Sequence, residues 1–225
     1  MDITLLDNPI WYALNSYHRH LAKWGDIAAR YHPDVAFGGG MSENSALGFD
    51  DLRRLVEIDE EITVLMALPE DLPGWEILLT LQLPQMICDD LKPRPHVNAI
   101  YLTDDDVPGM LDLVALTHPG PFLPRTIELG QYLGLRQDGQ LVAMAGERMH
   151  LMGFCEISAV CTHPDYRGRG YGGALTTMVA EAIFERQEVP FLHLSPTNDV
   201  AMKLYTKLGF RRRKEITLVR LKRLA

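Results

Sequence analysis

Three cysteines in 225 residues, Cys88, Cys155 and Cys161, are an odd number and have no Cys-x-x-Cys spacing. That excludes a disulfide framework and a zinc ribbon, and a reducing cytoplasm is the expected setting. Positive charge is also in short supply. Against 30 Asp and Glu stand 22 Lys and Arg, a net charge of -8. Binding to nucleic acid needs a basic face, so nucleic acid is not an expected partner, whereas an amine-bearing substrate suits this field. No apolar run approaches the ~20 residues that span a bilayer, and the start "MDITLLDNPIWYALN" lacks a basic segment followed by an apolar one. A membrane partner is therefore not expected. His18 and His20, two apart on a predicted helix, point in different directions, so no metal site is expected. What remains, 47% hydrophobic and 23% charged, is the composition of a globular chain with enough apolar material for one large domain or two small ones.

The segment "LKPRPH" (91–96) sets two prolines between apolar strand-like runs, which places a domain boundary there: 1–94 and 95–225. In the first part the pattern predicts a helix around "PIWYALNSYHRHLA", a loop through "AFGGGMSENSA", a helix "FDDLRRLVEI", and strands near "ITVLMAL" and "WEILLTLQL". In the second part come a strand "NAIYL", a helix from Asp104 to about Leu116 opened by three aspartates, and two strands joined at Asp138-Gly139, a strong hairpin signal. "GFCEISAVCTH" continues the meander as a third strand. A helix then carries Leu175, Met178, Val179, Ala182 and Ile183 on one face, and a strand "FLHLS", a short helix from about Asn198 to Leu208 and a strand near "EITLVRL" complete the order. The fold class is α+β, with a mixed, mostly antiparallel sheet flanked by helices.

Between the third strand and the long helix lies "THPDYRGRGYGG" (162–173). Strand, glycines, helix N-terminus is the arrangement in which unpaired backbone N–H groups hold an anion, because glycine allows positive φ and close approach. Walker A is excluded, since no G-x-x-x-x-G-K-[ST] is present. Gly168, Gly170 and Gly173 satisfy G-x-G-x-x-G, yet "HPDYR" intervenes after the strand and too little chain follows for a doubly wound sheet, so a dinucleotide-binding oxidoreductase is the most distant reading.

The run Arg167-x-x-Gly170-x-Gly172 opening an amphipathic helix resembles the acetyl-CoA pyrophosphate loop of the GNAT superfamily of N-acetyltransferases. Independently, Asn198-x-x-Ala201-x-x-x-Tyr205-x-x-Leu208-Gly209-Phe210 is similar to another motif of that superfamily. The resemblance covers the C-terminal part and is nearest to the branch that includes glycine N-acyltransferases; some members of that branch carry a degenerate second half, which residues 1–90 could represent. "YHPDVAFGGG" (31–40) echoes the glycine loop but lacks its arginines and is read as a chance echo. The resemblance implies acetyl-CoA (CoA) as cofactor, held by the loop residues Arg167, Gly168, Arg169, Gly170, Tyr171 and Gly172, by main-chain groups of Val160 and Thr162 along the pantetheine arm, and by Asn198.

For chemistry, amide formation from a thioester needs a polarised carbonyl, a neutral amine and a proton for the departing thiolate. The Val160 N–H is a candidate oxyanion donor. Asn198, Ala201 and Tyr205 share a helical face, and the Tyr205 hydroxyl is a candidate general acid, though a helical tyrosine can also be a packing residue and Asn198 a helix cap. Glu156 sits eleven residues before Arg167, the offset at which histone-type GNAT enzymes carry their general base. Burial beside the cofactor is expected to raise its pKa. His193 is the rival base. His118, Phe122 and Arg125 could shape an acceptor pocket by fold analogy alone. The expected activity is acetyl transfer to a primary amine of a small molecule or amino acid by a monomer or homodimer; the alternative is a catalytically silent acyl-CoA-binding module.

Overall fold

The computed structural model describes residues 1–225. The chain begins with a short helix α1 (Pro9–Leu14), ending earlier than its hydrophobic pattern suggests, and three short strands, β1 (Ala22–Trp24), β2 (Ala28–Tyr31) and β3 (Gly39–Met41), paired in that order. The third replaces an expected loop. Its glycines are required by close approach: a Cβ on Gly40 would lie 2.7 Å from the Trp11 backbone nitrogen, and one on Gly39 2.6 Å from Ile62. Helix α2 (Ala46–Leu55) follows, capped by Ser45, whose hydroxyl accepts from the Gly48 N–H at 3.2 Å. Then come β4 (Glu61–Leu65) and the long β5 (Trp75–Cys88).

After the proline segment the chain forms β6 (Ile100–Tyr101), α3 (Val107–Thr117), β7 (Tyr132–Gln137), β8 (Gln140–Leu151), β9 (Phe154–Thr162), α4 (Tyr171–Glu185), β10 (Val189–His193), α5 (Asp199–Lys207) and β11 (Phe210–Arg223). The β7–β8 hairpin turns at Asp138 (φ 48°) and Gly139 (φ 84°), both left-handed as a two-residue turn requires. No helix is long and apolar enough to cross a membrane.

One mixed, mostly antiparallel sheet of eight strands runs in the order β4-β11-β5-β10-β9-β8-β7-β6. Helices α4 and α5 pack one face through Leu175, Val179, Ile183, Tyr205 and Leu208 against Leu133, Leu135, Cys155 and Ile157. Tyr132 and Phe154 point the other way, toward α3 and α1 respectively. The periodicity read for α4 thus becomes the central packed layer.

The boundary expected between 94 and 95 runs through one sheet rather than between two domains. Strand β5, from the first part, pairs on one side with β10 (Phe191↔Ile87, His193↔Gln85) and on the other with almost the whole of β11. Without β5, β10 and β11 have no common neighbour and residues 95–225 cannot close their sheet. Nor do residues 1–90 form a separate GNAT-like half, since β4 and β5 belong to the common sheet. Expressed alone, residues 95–225 should lack near-UV circular dichroism and a cooperative melt, and co-expression with 1–94 should restore both; a cooperative melt of 95–225 alone would refute this account.

Candidate functional site

Strands β9 and β10 are parallel neighbours only over Phe154–Glu156 and Val189–Phe191. Beyond that point they part, leaving the β9 edge from Ile157 to Thr162 without a partner on that side. The strand is also bulged: Met144 pairs with Cys161 and Gly146 with Ser158, so Ala159 and Val160 stand opposite one residue. Ala159 takes φ 54°, a left-handed conformation unusual for alanine. The bulge breaks the two-residue alternation of a regular strand and takes main-chain groups out of the ladder beside Val160.

At the far end of β9 the chain makes a short turn and enters α4. Gly168 (φ 77°) and Gly170 (φ 81°) are left-handed, and a Cβ on either would meet no protein atom within 4 Å. Gly170 is the N-cap of α4 and no side chain caps the helix. The first N–H groups of a helix lack internal partners, so this exposed turn presents them outward. The Arg167 Nε donates to the Thr162 carbonyl at 3.3 Å, and the Arg169 guanidinium lies 4.7 Å over the Tyr166 ring, so both cations are held beside the turn. These features fit a pyrophosphate: open glycines, unspent donors and two arginines.

Helix α5 closes the third side. A Cβ on Gly172 would contact Val160, Thr162 and Leu204, and one on Gly173 would come within 3.2 Å of Leu204, so the glycines also let α5 approach the start of α4. Tyr205 is 8% exposed. Burial, and then the neighbouring Cys161, push its phenol pKa up, which keeps the proton on at neutral pH. Its hydroxyl makes no hydrogen bond within the protein. Because Arg223 Nε is the only sealed side-chain polar atom without a partner, the Tyr205 hydroxyl keeps access to solvent. Asn198 caps α5, its Oδ1 accepting from the Ala201 N–H at 3.0 Å, and lies on the surface.

Glu156 lies where the strands part and is fully buried, its carboxylate gripped on both sides. Arg148 Nε and Nη2 donate at 2.6 and 2.7 Å, and His193 Nδ1 lies 2.7 Å from Oε1. The expected rise in pKa is reversed. Burial alone would lift it, but the Arg148 charge and hydrogen bonds, with the His193 contact, outweigh burial and hold the carboxyl at about 2. The carboxylate is ionised and sealed, so an acceptor cannot touch it directly in this conformation. Arg148 is different: 30% of its side chain is accessible, and its Nη1 has no protein partner. Tyr31 from β2 and Tyr132 from β7 lie near this pair, whose charges act on both phenols; burial pushes each of them up. His118 ends α3 in a left-handed conformation, Phe122 is buried against Tyr132, and Arg125 is paired with Glu128.

Sequence reasoning missed Arg148 and Tyr31. The only signal for Arg148 was that a carboxylate in a strand interior needs a cationic partner; counting back from the Met152-Gly153 turn sets Met149 opposite Glu156, and the register shift between Glu147 and His150 is what brings Arg148 there.

A family model described as FR47-like protein matches residues 132–219. The N-alpha-acetyltransferase RimI of Mycobacterium tuberculosis is 34% identical over 86 residues, 36% of this chain, and the match spans about half (52%) of that relative. A solved structure from Novosphingobium aromaticivorans, assigned to the GNAT family of acetyltransferases, is 34% identical, with a TM-score of 0.89 over 98% of this chain and 99% of that one. A GCN5-related N-acetyltransferase from Kribbella flavida shares the fold, with a TM-score of 0.62 at 17% identity over 96% and 94% of the two chains. With its sheet parted beside an uncapped glycine turn, and matched end to end at 34% identity by the Novosphingobium structure, this chain belongs to the GNAT family of acetyltransferases, which are acyltransferases.

Proposed function

We propose that the protein transfers an acetyl group from acetyl-CoA to the primary amine of a small molecule or amino acid by direct attack. The observation that carries this reading is the parting of β9 and β10 beyond Glu156, with the glycine turn at one end and Tyr205 on the bordering helix. When bound, acetyl-CoA supplies an acetyl group activated as a thioester. The main-chain N–H groups from Gly168 to Gly172, with the Arg167 and Arg169 side chains, hold the pyrophosphate. The free edge of β9 offers Val160 and Thr162 main-chain groups to the pantetheine arm, and the free amide of Asn198 a further contact. The Val160 N–H stabilises negative charge on the acetyl carbonyl oxygen. The Tyr205 hydroxyl, protonated at neutral pH, gives its proton to the departing sulfur.

Glu156 is the proposed proton acceptor, and the geometry restricts how it serves. Sealed and strongly acidic, it does not keep a proton, and it serves only once acceptor binding uncovers an edge of the carboxylate to one bridging water, which takes the ammonium proton and releases it to solvent. Arg148, with an open guanidinium edge, is the member of the pair that a bound acceptor can reach.

Three measurements test this reading. Gly170→Val should weaken CoA binding roughly tenfold or more, because the new side chain would occupy space that the protein leaves empty; unchanged affinity by calorimetry in a folded variant counts against the cradle. Tyr205→Phe keeps the ring and removes the hydroxyl, so kcat should fall by roughly 10²-fold with little change in acetyl-CoA affinity, and an unaltered kcat would return Tyr205 to packing. Glu156→Gln should lose activity at neutral pH and regain part of it at high pH, where free amine is abundant. If it instead keeps the wild-type pH profile while His193→Asn loses the ascending limb, the base is His193. Because the Glu156 pKa is lowered on folding, the pair stabilises the wild type above pH 4.5 and its contribution is lost as the pH falls toward 2. The Glu156→Gln variant should lack that acid-dependent step in its melting temperature.

A further inference from the structure

Five polar side chains, one from each of five adjacent strands, form a single hydrogen-bonded row across the sheet. They are Arg148 of β8, Glu156 of β9, His193 of β10, Gln85 of β5 and Arg213 of β11. Glu156 and Gln85 are fully buried, and the His193 side chain is 2% exposed. The row passes through the point at which β9 and β10 separate.

The donors in this row can be assigned from chemistry alone. Arg213 Nη1 lies 2.8 Å from Gln85 Oε1, and an arginine only donates, so that atom of Gln85 is the oxygen. The Gln85 nitrogen lies 2.9 Å from the Leu6 carbonyl, which only accepts, so the amide is fixed from both ends. The same nitrogen is 2.9 Å from His193 Nε2. It has two hydrogens, one for Leu6 and one for His193, so Nε2 is the acceptor and carries no proton. The imidazole proton is then on Nδ1, 2.7 Å from Glu156 Oε1.

We infer that Gln85 is a positioning residue of the active site: oriented by Arg213 and the Leu6 carbonyl, it locks His193 into the tautomer that donates from Nδ1 to Glu156. This rests on the reading of Glu156 given above. The charged and titratable groups around His193 are Glu156 with Arg148 behind it, Arg213 behind Gln85, the buried Tyr31 phenol acting on Glu156, and Asp7, which pairs with Arg213. In the opposite tautomer the Nδ1 lone pair would face the carboxylate, and Gln85 Nε2 would face a second donor. Both contacts would turn repulsive. The inference gives a catalytic purpose to the first part of the chain, which supplies Gln85 and the Leu6 carbonyl.

The test is side-chain ¹⁵N NMR of the full-length, histidine-labelled protein, with His193 assigned by its absence in His193→Asn. The wild type should show His193 as the neutral Nδ1–H tautomer; an Nε2–H tautomer there would overturn the inference without any variant. Gln85→Leu removes the donor to Nε2 and leaves the carboxylate that still holds the Nδ1 proton, so this variant should keep the imidazolium pattern to a higher pH than the wild type. Gln85→Glu, which offers an acceptor where the donor was, should give the imidazolium pattern, and it serves if the leucine variant fails to fold. A folded variant that keeps the neutral Nδ1–H form over the same pH range as the wild type would overturn the positioning role. In either variant kcat/KM should fall roughly tenfold or more, with an altered pH profile, since a wrong tautomer by itself disables a histidine–carboxylate pair. If the tautomer changes while kcat/KM and its pH profile stay as in the wild type, the link to catalysis is overturned and the fault lies in the Glu156 reading rather than in the Gln85 geometry.

Discussion

A sheet can open a cleft between two of its own strands only if the strands on either side of the gap are held by something other than each other. Here β9 has β8 along one edge, while β10, paired with β9 over three residues only, depends on β5 for the rest of its support. The separation leaves the β10-facing side of Ile157 to Thr162 without a strand partner for its main-chain groups. Such groups are costly when buried without partners, so they favour a ligand whose own amides can complete the ladder. The bulge at Ala159 serves the same end, since a left-handed alanine is tolerated only where the surrounding structure dictates it.

The polar row across the vertex is costly for the same reason. Buried ion pairs seldom stabilise a fold more than apolar residues of similar volume would, because each charge must be stripped of water. The neighbouring side chains on the other face, Cys155 and Ile157, show that apolar residues fit this stretch of β9 well. Keeping Glu156, His193, Gln85 and Arg213 in place of a hydrocarbon layer therefore needs a return other than stability. Fixed orientation is one: each side chain of the row bonds one on the next strand, the N-terminal segment holds Gln85 and Arg213 from Leu6, Ile3 and Asp7, and Arg148 keeps an open edge.

The parts of this arrangement that were legible in the sequence are those determined by neighbours in the chain. The Asp138-Gly139 turn, the amphipathic stripe of α4 and the glycines before it depend on local conformation, and the structure carries all three. Strand β5 was recognised as a strand but assigned to another domain. Its partners lie over a hundred residues away, and the prolines at 93 and 95, which read as a boundary, mark only a surface connection. Strand β3 was hidden because glycine disfavours strands; it forms there because nothing larger fits beside Trp11 and Ile62. The sign of the Glu156 shift depended on Arg148, and burial without that partner argues for the opposite direction.

The interleaving of the two parts of the chain also constrains how specificity could be arranged. Every residue proposed to meet the acyl carrier, from Val160 through Asn198 to Tyr205, comes from the last third of the sequence, around α4 and α5. The opposite face of the sheet is covered by the beginning of the chain: α1 packs on Phe154 and Met149, Tyr31 lies against the Arg148–Glu156 pair, and Leu6 and Gln85 orient His193. An acceptor that reaches the open edge of Arg148 from that face would meet side chains contributed by the first ninety residues. Changes on that face can alter which amine is admitted while leaving the α4–α5 face in place, where the first part contributes Met86 and Cys88 of β5. The Glu156 carboxylate joins partners from both parts of the chain: Arg148 keeps it ionised, and Gln85 orients the histidine that donates to it.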